Sequence, residues 1–339
     1  MTHIKTLFIA TTCIAAVFLS GCFTRKEEIT IDENGNTTIT TSFEGEEDQY
    51  PPVYALPLKD PWEITKREIK KDENGKTEIM ITSRMSIPYG KKLPDRYDFN
   101  DKTDLGLRFP SDVKITRKGS RTFYEFTRRY RPRKYLPYHY FYENLIDKKI
   151  EEKVLDVGIF NVSEKDRKLY LDQLTRAFLL SEIRVFYDVL GFMVFENDIE
   201  PSAREELYKA ASEQMHSSFT PDGFKRILAG NEIDREYAKI KTELDRIFTT
   251  LVENHTPSNK AAVVKRFSQL LESERRTNQI TEAVNGHDFE VSIKMPGQIV
   301  VTNGLLEGTD FGKVIWPFKG SDLDDCEHVL HAISVVDNP

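Results

Sequence analysis

The hydrophobic period changes twice along these 339 residues, and that double change constrains the fold more than any single motif. From Glu27 to about Tyr130 apolar and polar residues alternate, as a half-buried strand requires. From Ser163 to Val284 they recur every three to four residues, as on a helix, and from His287 alternation returns. Two early strand pairs flank near-copies of one turn, EEITIDENGNTTITTSFEG (27–45) and KREIKKDENGKTEIMITSRM (66–85). Asn34-Gly35 and Asn74-Gly75 supply the positive φ angles of a tight hairpin. A third pair, 111–130, turns at Gly119-Ser120, and Pro51, Pro52, Pro57, Pro61, Pro88, Pro94 and Pro110 mark the chain between hairpins.

In the middle region Ser163 followed by Asp166 predicts a helix start, and Leu169, Leu174, Phe178, Ile183, Phe186 and Leu190 continue it. Pro201, Thr220-Pro221 and Thr256-Pro257 predict further starts. Ile233, Tyr237, Ile240, Leu244, Ile247 and Leu251 form an amphipathic stripe. Strands are then predicted in DFEVSIKM, GQIVVTNG, GKVIWPF and HVLHAISVV. Each β portion alone is short of a comfortable sheet. The predicted class is therefore α+β, an antiparallel β meander or sheet built from the N- and C-terminal parts with a bundle-like helical insertion. Two separate β modules are the alternative.

The first residues tell a different story. One cation, Lys5, precedes an apolar run from Leu7 to Leu19, too short for the roughly 20 residues of a bilayer-spanning helix but suited to a secretory segment. The run ends Leu19-Ser20-Gly21-Cys22, which resembles the lipobox of bacterial lipoproteins. That resemblance implies cleavage before Cys22, diacylglycerol on its thiol and acylation of the freed amine, since stable anchoring takes more than one chain. With Phe23 rather than Asp after the cysteine, it also implies the outer membrane if the host has one. Ala177–Phe195, the richest later run, carries Glu182, Arg184 and Asp188 and reads as a buried soluble helix. The expected organisation is a signal peptide (1–21), a short tether (22–28), a first β part (29–142), a helical region (143–285) and a second β part (286–339).

Charge narrows the partners. The formal net charge of −7 becomes −8 when residues 1–21 leave with Lys5, a balance that argues against nucleic-acid binding. Of three cysteines, Cys13 leaves with the signal and Cys22 is acylated, so Cys326 has no partner for an intrachain disulfide.

Several segments invite a functional reading. The Asp-Glu-Asn-Gly turns lack the full calcium-loop spacing, so turns are expected there. Cys326, His328 and His331 are zinc-type ligands. On a strand, however, Cys326 and His328 share a face while His331 points the other way, so neither metal nor cofactor is expected. Lys114–Tyr142 mixes cations with tyrosines. It suits either a solvated face paired with acids, the favoured arrangement, or a membrane interface in which Arg128, Arg129, Arg131, Arg133 and Lys134 meet anionic lipid. His139, His216, His255 and His287 are scattered, and no nucleophile elbow, zinc-protease or phosphate-loop motif occurs.

Met295, Pro296, Gly297, Thr302, Asn303, Gly304, Trp316 and Phe318 give the segment 295–318 a resemblance to LppM-like bacterial lipoproteins, with a looser echo in RTFYEFTRRY. The resemblance implies an envelope lipoprotein whose β fold holds or touches lipid, and it brings no catalytic residues. Read alone, Gly297 and Asn303-Gly304 are turns, and Trp316 and Phe318 are core residues on one strand face. The expectation is an envelope protein anchored by lipid that binds or scaffolds without catalysis. Its partner would be anionic lipid or an envelope protein, and an envelope-polymer hydrolase is the lesser alternative.

Overall fold

The computed structural model describes residues 23–46, 60–71, 77–97, 106–159, 161–218, 233–255, 260–308 and 312–338. Among these, residues up to Lys134 and from Ile280 onward form a β unit, and Tyr135–Gln279 form a helical unit. The class is the α+β arrangement expected, with the helices inserted between two β portions.

The β unit holds two sheets. Its strands are β1 (Phe23–Ile31), β2 (Thr37–Glu46), β3 (Glu63–Lys71), β4 (Thr77–Ile87), β5 (Ser111–Lys118) and β6 (Arg121–Tyr130). They continue after the insertion as β7 (His287–Lys294), β8 (Gln298–Thr302), β9 (Leu305–Leu306), β10 (Lys313–Lys319) and β11 (His328–Asp337). The first sheet runs β3-β4-β2-β1-β7-β10-β9 and the second β5-β6-β11-β8. N- and C-terminal parts therefore meet in both sheets rather than in one. They meet through β6 against β11, antiparallel, and β1 against β7, the one parallel strand pair among the described residues. A parallel pair needs a long crossover, and here the connection comprises β2 to β6 as well as the whole helical segment.

Period-2 alternation sets each inner face. Ile29, Ile31, Ile39, Met85, Phe289, Val291, Ile293, Val314, Trp316 and Phe318 from the first sheet pack against Tyr124, Phe126, Tyr130, Leu330 and Ala332 of the second. Phe126 meets Trp316, and Tyr130 meets Phe289 and Phe318, at ring-centroid distances of 6.4, 6.2 and 5.1 Å. Between β1 and β2, Asp32 Oδ1 accepts from the backbone N–H groups of Asn34 and Asn36 at 2.9 and 2.8 Å, and Gly35 sits at φ +84°. This Asp-Glu-Asn-Gly is a hairpin turn whose carboxylate is used by its own backbone; its twin at 72–75 lies outside the described residues.

Two boundaries differ from expectation. Strand β1 begins at Phe23, so the stretch read as a tether is already sheet from the residue after Cys22. Its charges misled, because Arg25 and Glu27 are in phase with Ile29 and Ile31 and face inward. Helix α1 (Pro137–Leu145) begins in chain assigned to the first β part, while α2 (Lys148–Val157) lies within the region expected to be helical. Pro137 at the first helical turn and the Asp147 cap, whose Oδ1 accepts from Lys149 N at 2.9 Å, start them.

The helical unit continues with α3 (Glu164–Phe195), α4 (Pro201–Ser218), α5 (Ile233–His255) and α6 (Lys260–Asn285), whose last turn belongs to the β unit. Ser163 caps α3 through its hydroxyl, which accepts from Asp166 N at 3.1 Å. Phe186 stacks on Phe248 at 4.3 Å and meets Phe267 edge-on at 5.6 Å, joining α3, α5 and α6 around one core. Arg275 bridges Asp245 and Glu182 across the same helices. Among the described residues no helix is long and apolar enough to cross a membrane.

Candidate functional site

One end of the β sandwich is polar inside. Strand β1 turns Arg25 and Glu27 inward, β6 turns in Arg128 and Tyr130, β7 opens with His287, and Tyr97 reaches in from the chain after β4; all are buried. Glu27 accepts from Tyr97 Oη through one carboxylate oxygen and from Arg128 Nη1 through the other. Arg128 Nε donates to Ser111 Oγ at 2.8 Å, which fixes the plane of the guanidinium. Rings shield the charges. Arg25 lies 4.6 Å from the Tyr97 centroid and Arg128 lies 4.8 Å from that of Phe109, both within cation–π range.

The electrostatics follow from that packing. Burial alone would pull the Arg128 guanidinium down, but Glu27 and the phenols of Tyr130 and Tyr97 reverse this and hold it above its ordinary value. Burial pushes the Tyr130 phenol up to about 12, and burial with Glu27 beside it raises Tyr97 well above its usual range. Burial, aided by the Arg25 guanidinium, lowers His287 to about 3 and keeps its ring neutral. Both Glu27 carboxylate oxygens are thus occupied, one by a guanidinium and the other by a phenol.

The cations of the alternative, lipid-facing arrangement do not share a surface. Arg128 is 0 % exposed and lies in the core, because β6 alternates and Arg128 is in phase with Tyr124, Phe126 and Tyr130. It cannot meet a bilayer from there. Arg129 points outward and pairs with Glu327 at 3.1 Å. Arg131 is exposed, while Arg133 and Lys134 are half-buried. Arg133 Nε donates to Thr281 Oγ1 at 3.1 Å, and its backbone bonds to Leu323 and Asp325. Cys326 is exposed on the bend before β11, His328 stacks on Phe318 at 4.4 Å, and His331 Nε2 contacts Glu125 Oε1 at 3.2 Å on the opposite strand face. Those three side chains are not brought together. Cys22 lies outside the described residues.

Sequence reasoning missed Arg25, Glu27 and Arg128 as an internal group. The available signal was parity, since each occupies the inward phase of its own strand. The Met-Pro-Gly to Trp-x-Phe segment has a structural role. Asn303 Oδ1 accepts from Trp316 Nε1 and from His331 N, both at 2.9 Å, while its Nδ2 donates to Val329 O at 2.6 Å, tying the two sheets together. Gly297, at φ +73°, leaves no room for a side chain, because a Cβ there would lie 2.1 Å from Val335 O.

No family model matches this chain, and no curated protein matches it. A solved structure that aligns with it is the NMR structure of the folded domain of the Mycobacterium tuberculosis LppM protein. The alignment covers 94 % of this chain and 91 % of that one at 8 % identity, with a TM-score of 0.26. A likeness at that score carries no argument for function.

Proposed function

We propose that this chain is an extracytoplasmic lipoprotein, held to a membrane by diacylglycerol on Cys22, that binds or scaffolds in the cell envelope without catalysis. The observation that carries the reading is the abrupt junction at Cys22: the lipobox-like Leu19-Ser20-Gly21-Cys22 is followed at once by β1, from Phe23. A lipid on Cys22 would therefore hold the sandwich itself at the leaflet, with no linker to let it range. The buried acids and bases support the non-enzymatic part, because Glu27, Arg128, Tyr97 and Tyr130 bind one another.

Lipid contact, in this reading, falls to outward cations such as Arg129 and Arg131 and no longer includes Arg128. The test is fractionation of cells that make the full chain, with mass spectrometry of its mature N-terminus. Wild type should sediment with membranes and begin at an acylated Cys22, and Cys22→Ser should lose both. An unmodified N-terminal Met1 in the soluble fraction would overturn the reading.

A second reading, docking of an envelope protein on the helical unit, is favoured by Phe192 and Phe195, which lie exposed at the end of α3. Crosslinking in intact cells from Phe195 would then give one dominant protein partner.

A further inference from the structure

A protein that takes hold of an extended segment commonly does so through the segment's own backbone N–H and C=O groups, adding it as a strand. Those groups must be free at the time. In the folded chain β1 leaves them paired, because it is an interior strand with β2 on one side and β7 on the other. Phe23 lies opposite His287, Thr24 lies opposite both Glu44 and Asp288, and both ladders continue to Thr30. The strand is also fixed from within. Arg25 and Glu27 are 2 % and 1 % exposed, and Glu27 accepts from Arg128 and Tyr97. Beside its first residue stands the end of α6, since only Gly286 separates Asn285 from His287.

We propose that Cys22 is acylated, and the chain cut before it, while β1 is still unpaired, and that β1 enters its sheet only afterwards. The inference rests on the reading of Cys22 as a lipidated residue. In the first reaction the thiol gives up its proton and its sulfur bonds to a glyceryl carbon of a membrane phospholipid. The phosphate headgroup leaves that carbon with the bonding electrons and takes up a proton. In the second, water splits the Gly21–Cys22 amide, leaving a carboxyl on Gly21 and an amine on Cys22. An extended residue spans at most about 3.6 Å, so once Phe23 is in the sheet the sandwich stands where a processing enzyme must bind. Chain order supplies the interval. Strand β7 follows the helices, so β1 has no neighbour on that side until most of the chain has been made. A chain that folds first stays uncut.

The test uses the full uncut chain in detergent with phospholipid, a purified bacterial diacylglyceryl transferase and a lipoprotein signal peptidase. One sample is folded beforehand, with slow amide exchange across Phe23–Ile31 as the check. The other is diluted from urea directly into the enzymes, and mass spectrometry of the N-terminus reads the product. The folded sample should give at least tenfold less acylated, cut chain at early times. A flexible Gly-Ser linker of about ten residues between Cys22 and Phe23 should raise the folded sample to the level of the diluted one. Equal yields from the two native samples, or no gain from the linker, would overturn the proposal and leave the lipid on Cys22 standing. No acylation in any sample would remove the Cys22 reading and the proposal with it.

Discussion

Glu27 is the residue on which the interior of the β unit turns. It is nearly inaccessible, and the two groups it receives, Arg128 and Tyr97, are buried with it. Removing one partner of such a pair leaves the other charge stranded, which costs about 3–5 kcal/mol, whereas replacing both by apolar groups is often close to neutral. Glu27→Gln should therefore lower the urea midpoint of the β unit by an amount equivalent to about 3–5 kcal/mol. Adding Arg128→Met to Glu27→Gln should recover much of the loss. Equal, additive losses in the single and double variants would show that the two side chains do not act as a pair. Sequence alone left Arg128 among surface cations because Arg128, Arg129, Arg131 and Arg133 look alike in a row. Alternation separates them, and the Glu27 carboxylate, with the rings of Phe109, Phe126 and Tyr130 around Arg128, makes its burial tolerable.

Among the elements, the 3-10 turn Gly320–Leu323 and the residues after it act as a clamp on both crossings of the chain. Arg133 bridges to Asp324, Asn285 at the end of α6 donates to both Asp324 oxygens at 3.1 and 3.0 Å, and Gly320 lies so close to Val284 that no side chain would fit. Burial raises Asp324 to about 6, against the hydrogen bond from Asn285, and burial raises Glu282 in the same turn of α6 to about 7. A carboxyl whose folded value lies above its unfolded one binds its proton more tightly when folded, so stability rises as pH falls from about 7 towards about 4. His287 works the other way. Its folded value of about 3 lies below the unfolded one, so the unfolded chain takes up the proton first and stability falls below about pH 6.5.

The two slopes oppose each other between about pH 4 and 6.5. Asp324→Asn with Glu282→Gln should expose a steeper acid loss in urea midpoints taken from pH 8 to 4.5, and His287→Phe should leave a gain over the same range. Parallel profiles in all three proteins would rule this out. Elements of this kind divide sharply in their legibility. The Asn34-Gly35 hairpin, the Ser163 cap and the Ile240–Leu251 part of the helical stripe were readable because each is written in neighbouring residues. The parallel pairing of β1 with β7, the two-residue β9 and the clamp join positions far apart in sequence or too short to show a period. The candidate site was least legible, since its members lie on β1, β6, β7 and the chain after β4.

At the scale of the whole molecule, the helical unit is one continuous piece of chain and the β unit is two pieces separated by it. Phe186, Phe248 and Phe267 close a core entirely within α3–α6, while β1 and β6 each need a partner, β7 and β11, that is made only after the helices. Without residues 280–339 the inner face of β1–β6 would lose Phe289, Val291, Ile293, Trp316, Phe318, Leu330 and Ala332, the side chains against which Phe126 and Tyr130 pack. Loop closure across the insertion costs only the logarithm of its length, so nothing forbids late assembly, but the contacts that reward it come last. A chain ending at Gln279 should therefore keep slow amide exchange in Leu179–Phe195 and Leu244–Val252 while exchange across Phe23–Ile31 and Arg121–Tyr130 becomes fast. Supplying residues 280–339 as a separate peptide should slow the second group again if strand pairing is the missing interaction. Protection of β1 and β6 in the truncated chain without that peptide would mean the N-terminal strands hold a core of their own.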